Sequence, residues 1–590
     1  MKFNRNWIVI LILFLAVFVS YINVFQNNFV WDDEFFIVNN IDIKSISNIP
    51  GFFTEPSPGN LYRPLRTTFY TITYQIWGLN PLGYHLNGFF LHFFITILLF
   101  FITLRITNKP GFSFVVALFF AVHPIHTARV TNMTASFDLY GILFLLLSLF
   151  FYILNSKNKK NNYYYLSIVF YLLALFSSEE TITLILILFL YDFSFNYKIN
   201  IPNFKLLLKK YIPYFTVTAF YLFLRFFIVG QIGREQAYFH ASFYGTFLTT
   251  LKIYINYIAL LFFPVNLTIE HSTKFETSIL SFSVIAPLLI LAAIFFIFIK
   301  SYKKSKLMFF SLGWFFITLL PFSNFAPQVS IMAERYLYLS SFGFILLFAF
   351  LIFKIEKINS IKKYNKIILV SIVILLLVAY SFLTIQRNSE WKGGFTLYLS
   401  DLEKNPIGTH LNQGLALEYK KIKDYDKAIF YAKEAIRFGS KNYRAYETLA
   451  TSHAETKDYK SAIEFYEAAI ELNPDDYLVY NNLGLVYSYM GDLNKSISHL
   501  KKAIEIDPKL SKAHNDLGTI YAQLGMFDEA IKEMEISIKI NPYNADYYYN
   551  LAVIYEFLKD NNKARELLEK GIGIEPGNKK IKKKLNNLKS

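Results

Sequence analysis

The chain contains no cysteine. Disulfides, thiolate zinc sites and cysteine nucleophiles are therefore excluded, and the redox compartment cannot be read from thiols. Acidic residues are scarce relative to basic ones: 43 Asp and Glu stand against 59 Lys and Arg, a formal net charge of +16. Such an excess raises the question of nucleic acid. Much of it, however, sits in short loops between apolar runs, where Lys and Arg mark the cytoplasmic face of a membrane protein. Another part is the terminal run Lys579, Lys580, Lys582, Lys583 and Lys584, which reads as the solvated side of a last helix. No nucleic-acid partner is expected. Charge of either sign is sparse over residues 1–385, where Phe, Leu, Ile and Tyr dominate and apolar runs repeatedly approach membrane-spanning length. From Glu390 onward the chain reads as an ordinary charged helical sequence.

The apolar runs predict eleven spans, at 7–25, 84–104, 111–128, 137–154, 163–177, 181–195, 211–230, 279–299, 307–323, 336–354 and 366–385. A further stretch, 246–265, carries Lys252 and ends at Pro264, and is read as re-entrant or interfacial. Lys2 and Arg5 precede a run too long for a signal peptide, with no small-x-small cleavage pattern after it, so it reads as an uncleaved first helix with its N-terminus in the cytoplasm. Alternation then places Arg105 and Lys109, the cluster Lys157, Lys159 and Lys160, the cluster Lys198 to Lys210, the cluster Lys300 to Lys306, and the cluster Lys354 to Lys366 inside. An odd number of crossings puts the C-terminal part outside the cytoplasm.

That part repeats every 34 residues, the tetratricopeptide period. Pro474, Pro508, Pro542 and Pro576 mark the frame, Pro406 fits it, and Ser440 fills the gap. Each unit carries a Leu and a small residue in its first helix (Leu483–Gly484, Leu517–Gly518, Leu551–Ala552) and another small residue in its second (Ala462, Ser496, Ala530). Five units follow, at 409–442, 443–476, 477–510, 511–544 and 545–578, within a domain spanning 405–578. Residues 579–590 read as the polar cap that a solenoid end requires. Asn481 and Asn515 hold equivalent positions, where an amide can bind the backbone of an acceptor or simply be solvated.

Ionisable residues in or beside spans are costly and mark functional sites by default. Asp32, Asp33 and Glu34 follow the first span, in a loop over 26–83; one carboxylate of such a group, with a raised pKa, can serve as a general base. Arg63 and Arg66 can clamp a phosphate or carboxylate. His123 and His126 suggest a metal pair, but Pro124 breaks the helix and no third His is near, so positioning is favoured; Arg129 and Asp138 follow. Glu179 and Glu180 lie between two short spans. Glu334 and Arg335 form an expected ion pair at a span entrance, with Tyr338 beyond. In the eleven-span topology all these clusters fall on the non-cytoplasmic face.

In order along the chain, Asp32-Asp33, Tyr62-Arg63-Pro64-Leu65, His123-Pro124-Ile125-His126-Thr127, Glu179-Glu180 and Ala333-Glu334-Arg335-Tyr336-Leu337-Tyr338, with the repeats behind them, resemble the transmembrane and tetratricopeptide-repeat O-mannosyltransferases of the GT-C superfamily. The chain departs from the family pattern at Ala128-Arg129, where an acidic residue often follows the His-Pro run, and at Ser178, where a Lys often precedes the Glu. The resemblance implies an all-α protein: a polytopic GT-C-like domain over 1–390 followed by a tetratricopeptide solenoid. It implies an inverting hexosyl transfer from a polyprenyl- or dolichyl-phosphate sugar to a protein hydroxyl, with no cofactor and no indicated metal. Asp32 or Asp33 would be the base, Arg335 the first and Arg63 the second candidate for the donor phosphate. A composition rich in Lys, Asn and Ile suggests a prokaryotic plasma membrane. Two other readings stand beside this one: a membrane-anchored repeat scaffold without catalysis, and a lipid-linked polysaccharide ligase or polymerase.

Overall fold

The computed structural model describes residues 2–158, 161–230, 238, 242–328, 330–354 and 364–588. Lys159, Lys160 and most of the Lys354–Lys366 cluster lie outside them. The chain is helical throughout, and one isolated bridge between Ser57 and Leu61 is the β pairing found among the described residues. It divides into two compact units, Met1–Pro406 and Ile407–Ser590.

In the first unit α1 (Lys2–Tyr21) is followed by a loop of short turns, α2 (Pro64–Trp77), α3 (Pro81–Thr107) and α4 (Pro110–Val122). Proline opens α2, α3 and α4, where its missing N–H and fixed φ cost nothing. There follow α5 (Leu139–Asn158), α6 (Asn161–Ser177), α7 (Leu184–Phe195), α8 (Ile201–Val229), α9 (Phe243–Phe262), α10 (Phe282–Lys304), α11 (Lys306–Leu319), α12 (Leu337–Phe353) and α13 (Asn365–Glu390). The last element, α14 (Gly394–Lys404), falls between the two domains drawn from the sequence and belongs to this unit.

Among the described residues eight helices are long and apolar enough to cross a membrane, or nine if a bent pair is one span. This is fewer than eleven. The reason is local: α6, α7 and α11 are 17, 12 and 14 residues long, and at about 1.5 Å per residue 12 residues cover little more than half of an apolar bilayer core. Short 3₁₀ turns at Glu179–Thr183 and Leu320–Phe322 take up the edges of the expected spans 181–195 and 307–323. The expected span 111–128 is the bent pair, Pro110–Val122 and Pro124–Val130, meeting at 51° across Pro124. The 246–265 stretch forms, up to Phe262, part of one unbroken helix, α9, of 20 residues, long enough to cross. Lys252, which counted against a crossing, is neutralised by Glu276 at 3.4 Å. The hydrogen bonds of α9 fall at the ends of its neighbours: Asn324 Nδ2 donates to Thr250, Ala333 N–H to the Tyr257 hydroxyl, and His123 Nε2 meets Leu261 O.

Tight helix crossings depend on small residues. A Cβ on Gly343 of α12 would lie 2.6 Å from Ser311 O of α11. Helix α8 is instead held by a buried polar face. Tyr211 donates to Asp192 (2.6 Å), Tyr214 meets Ser167 (2.7 Å), Thr218 meets Tyr171 (2.6 Å), and Tyr221 donates to Tyr62 O (3.3 Å).

In the second unit ten helices pair as five hairpins, from Thr409–Lys421 with Tyr425–Arg437 to Ala545–Phe557 with Asn561–Ile574, and Lys579–Asn587 closes the end with Ile581 buried. Each hairpin turns through a left-handed residue: Lys423, Lys457, Gly491, Gly525 and Lys559 all have φ between 62° and 83°. The next residue caps the second helix. Asp424, Asp458, Asp492 and Asp560 accept the backbone N–H three residues on, whereas Met526 makes no such bond.

Candidate active site

The loop after α1 turns at Trp31, whose φ is 56°. Asp33 is fully buried. Its Oδ2 accepts the Val30 N–H at 3.0 Å, and its Oδ1 accepts both the N–H (2.8 Å) and the hydroxyl (2.7 Å) of Thr134. Burial pushes its pKa up to about 7 against the pull of those three donors. Asp32 is half-buried, and its charge acts on Arg335. The Arg335 guanidinium lies 5.4 Å above the Trp31 ring and 5.5 Å from that of Tyr336. Glu34 opens a short turn and is also half-buried.

Glu334 does not pair with Arg335. It turns the other way, accepting the Thr268 N–H at 2.5 Å and meeting His271 Nε2 at 3.0 Å. Neighbours in a tight 3₁₀ turn point in different directions, which separates the two.

A second group of charges is closed on itself. Asp138 is held by Arg63 (2.8 Å), Arg66 (3.2 Å) and Arg129 (2.9 Å). Arg129 also reaches Glu180 at 2.5 Å, and Arg63 pairs with Glu179. Arg225 of α8 lies 3.9 Å from Glu179. Among these carboxylates Glu179 keeps the largest opening, its side chain 31% exposed. Arg63 and Arg66 thus spend their donors on protein carboxylates.

The histidines act as struts. His123 Nδ1 accepts the Ile125 N–H and its Nε2 meets Leu261 O. His126 Nε2 meets Ser341 Oγ at 2.8 Å, and Tyr338 pairs with His92 Nδ1 at 2.7 Å. The His123 and His126 rings are 5.7 Å apart. Among the described residues no group of three His, Cys, Asp or Glu could hold a metal ion.

Models of the tetratricopeptide repeat match residues 409–438, 443–509, 499–532 and 545–578. Over 433 residues the chain is 25% identical to the protein O-mannosyl-transferase F38B6.6 of Caenorhabditis elegans, covering 69% of this chain and 60% of that one. The O-mannosyl-transferase TMTC3 of Mus musculus is 25% identical over 71% of this chain and 50% of its own length. TMTC4 of Homo sapiens is 26% identical over 68% and 63%. Its homologues are protein O-mannosyl-transferases with tetratricopeptide repeats. The chain spans between half and just under two thirds of the length of these relatives.

In the repeats Asn481 is buried and donates to Asp516 at 2.9 Å, while Asn515 accepts from Asn550 at 3.0 Å. Each links its own unit to the next. Sequence reasoning missed His92, Arg225 and His271. Arg225 and His92 carried a usable signal, since each is an ionisable group within an apolar stretch of its helix.

Proposed function

We propose that the chain is an integral-membrane glycosyltransferase that moves a hexose, mannose in the first instance, from a polyprenyl- or dolichyl-phosphate to a protein hydroxyl on the non-cytoplasmic side of a prokaryotic plasma membrane. The observation that carries this is Asp32, half-buried in the loop after α1 and within electrostatic reach of Arg335, beside Asp33, which accepts three hydrogen bonds. In this reading Asp32 takes the proton of a Ser or Thr hydroxyl as its oxygen attacks the anomeric carbon. The C1–O bond to phosphate breaks on the opposite face, inverting the centre, and Arg335 holds the phosphate as its charge grows. Trp31 fixes the plane of Arg335 and keeps water from one side of it. Asp33 sets the loop. Asp138, Glu180, Arg63, Arg66 and Arg129 form the rigid wall behind it. The repeats recruit the acceptor protein, and Asn481 and Asn515 serve by holding successive units in register.

Asp32→Asn, reconstituted in lipid nanodiscs with a lipid-phosphate mannose and a Ser/Thr-rich peptide, is expected to keep its fold and lose about 10²–10⁴-fold in transfer, the usual worth of a general base. Full activity in Asp32→Asn would sink the assignment.

A further inference from the structure

A cavity of about 390 Å³ opens in the first unit between α9, the segment Phe263–Ser272 and the end of α14. That is within the size range of ligand sites. Its walls carry three polar groups with spare bonding capacity. Asn256 and Asn266 make no side-chain hydrogen bond among the described residues. His271 commits Nε2 to Glu334, and its Nδ1 has no partner among those residues. Lys404, the cation in the wall, is already neutralised by Glu390 at 2.6 Å and Asp401 at 3.4 Å, and donates to Leu267 O. The cavity therefore offers no free positive charge to an anion. The rest of its lining mixes apolar Leu260, Val265, buried Met332 and Phe263, 73% exposed, with Thr268, Glu270, Ser272 and Asn405.

This pattern selects for a class of ligand. A carboxamide offers a donor and an acceptor side by side, the complement of a backbone peptide group. Two such amides and a histidine nitrogen, set among apolar surfaces, suit a neutral chain that alternates amides with side chains. We propose that this cavity takes an extended segment of polypeptide, the stretch flanking the hydroxyl that receives the sugar; the identity of that segment as acceptor rests on the function proposed above. The link to the reacting groups is covalent and short. Glu334, which holds His271, is next in the chain to Arg335, and Met332 is three residues before it. Occupancy of the cavity is in this way registered beside the phosphate-binding guanidinium.

The test uses the full chain in nanodiscs and a short Ser/Thr-rich peptide carrying a benzophenone, which reacts readily with methionine. Illumination should attach the peptide to Met332 and to the 256–272 segment, located by mass spectrometry of the digest. Asn256→Ala combined with Asn266→Gly, which keeps the left-handed backbone at 266 (φ 55°), should lower that yield about tenfold, as expected for the loss of one or two hydrogen bonds. Ala259→Phe, filling the cavity while leaving its polar groups, should do the same, and unchanged thermal midpoints establish that both variants are folded. Adducts confined to 409–578, or adducts on Met332 indifferent to both variants, overturn the proposal. So does displacement of the peptide by a neutral oligosaccharide that leaves no peptide adduct. Adducts in the cavity without any sugar transfer would uphold this site and reject the role of Asp32; transfer without such adducts would do the reverse.

Discussion

Charge is used in opposite ways in the two units. In the membrane unit the strongest ion pairs are buried and most join residues far apart in sequence: Arg63 with Asp138 and Arg129 with Glu180, with Arg387 and Asp401 at 2.5 Å also buried. In the repeats they are mostly local and exposed, as in Lys427 with Asp424, Lys495 with Asp492 and Lys563 with Asp560, each three residues apart. A buried network stakes folding on every member, because removing one partner strands the others away from water. An exposed pair trades one set of water contacts for another and is nearly neutral. The first unit therefore concentrates its risk in a few residues, while the second spreads its stability over a repeated pattern.

The comparison breaks first at Asp138. Asp138→Asn leaves Arg63, Arg66 and Arg129 facing one another without their shared counter-charge. A loss of about 3–5 kcal/mol is expected, read as a fall in the thermal midpoint in nanodiscs; an unchanged midpoint would mean that the network is not energetically closed. The next effect is on pH. Burial raises the Asp33 carboxyl to about 7 from an ordinary 3.8. A carboxyl raised in the folded state binds a proton that the unfolded chain has released, so it contributes stability below pH 4 that is lost as pH climbs towards 7. Stability of the parent protein should decline across that window, and Asp33→Asn should remove this part of the slope. Parallel curves for the two proteins would argue against the assignment.

In the repeats the effects are smaller and local. Met526→Asp restores the cap that four of the five hairpins have. It should raise the unfolding midpoint of the repeat transition, adding about 1 kcal/mol; no gain would show that the cap is not limiting there. Smallest of all, Lys563→Ala removes an exposed pair with Asp560 and should change stability by less than about 0.5 kcal/mol in denaturant titration. A larger loss would erase the contrast between the units.

The same contrast governs what could be read from the sequence. The repeats were legible as a tetratricopeptide array, because local rules set helix, turn and cap and recur every 34 positions. The apolar helices were legible as helices, but their number was not. Short 3₁₀ turns at 179–183 and 320–322 shorten expected spans, and nothing in hydropathy says where a helix stops inside a bundle. At the site, the carboxylates and arginines were visible as candidates, while their partners were not. That Asp33 would be engaged by Thr134, that Asp138 would take three arginines, and that Glu334 would choose His271 over Arg335 all depend on contacts across 60 residues or more in most cases.

The hold on Asp33 also works at a distance from Asp33 itself. Two adjacent carboxylates share one stretch of backbone, so fixing one restricts the directions open to the other. Thr134 stands at the start of the short helix Met133–Ser136, ahead of α5. The aim of Asp32 is in effect set by the place where that helix begins. Movements that carry the loop and the helix start together preserve the aim. Movements that part them release it, and with it the proton acceptor proposed at Asp32.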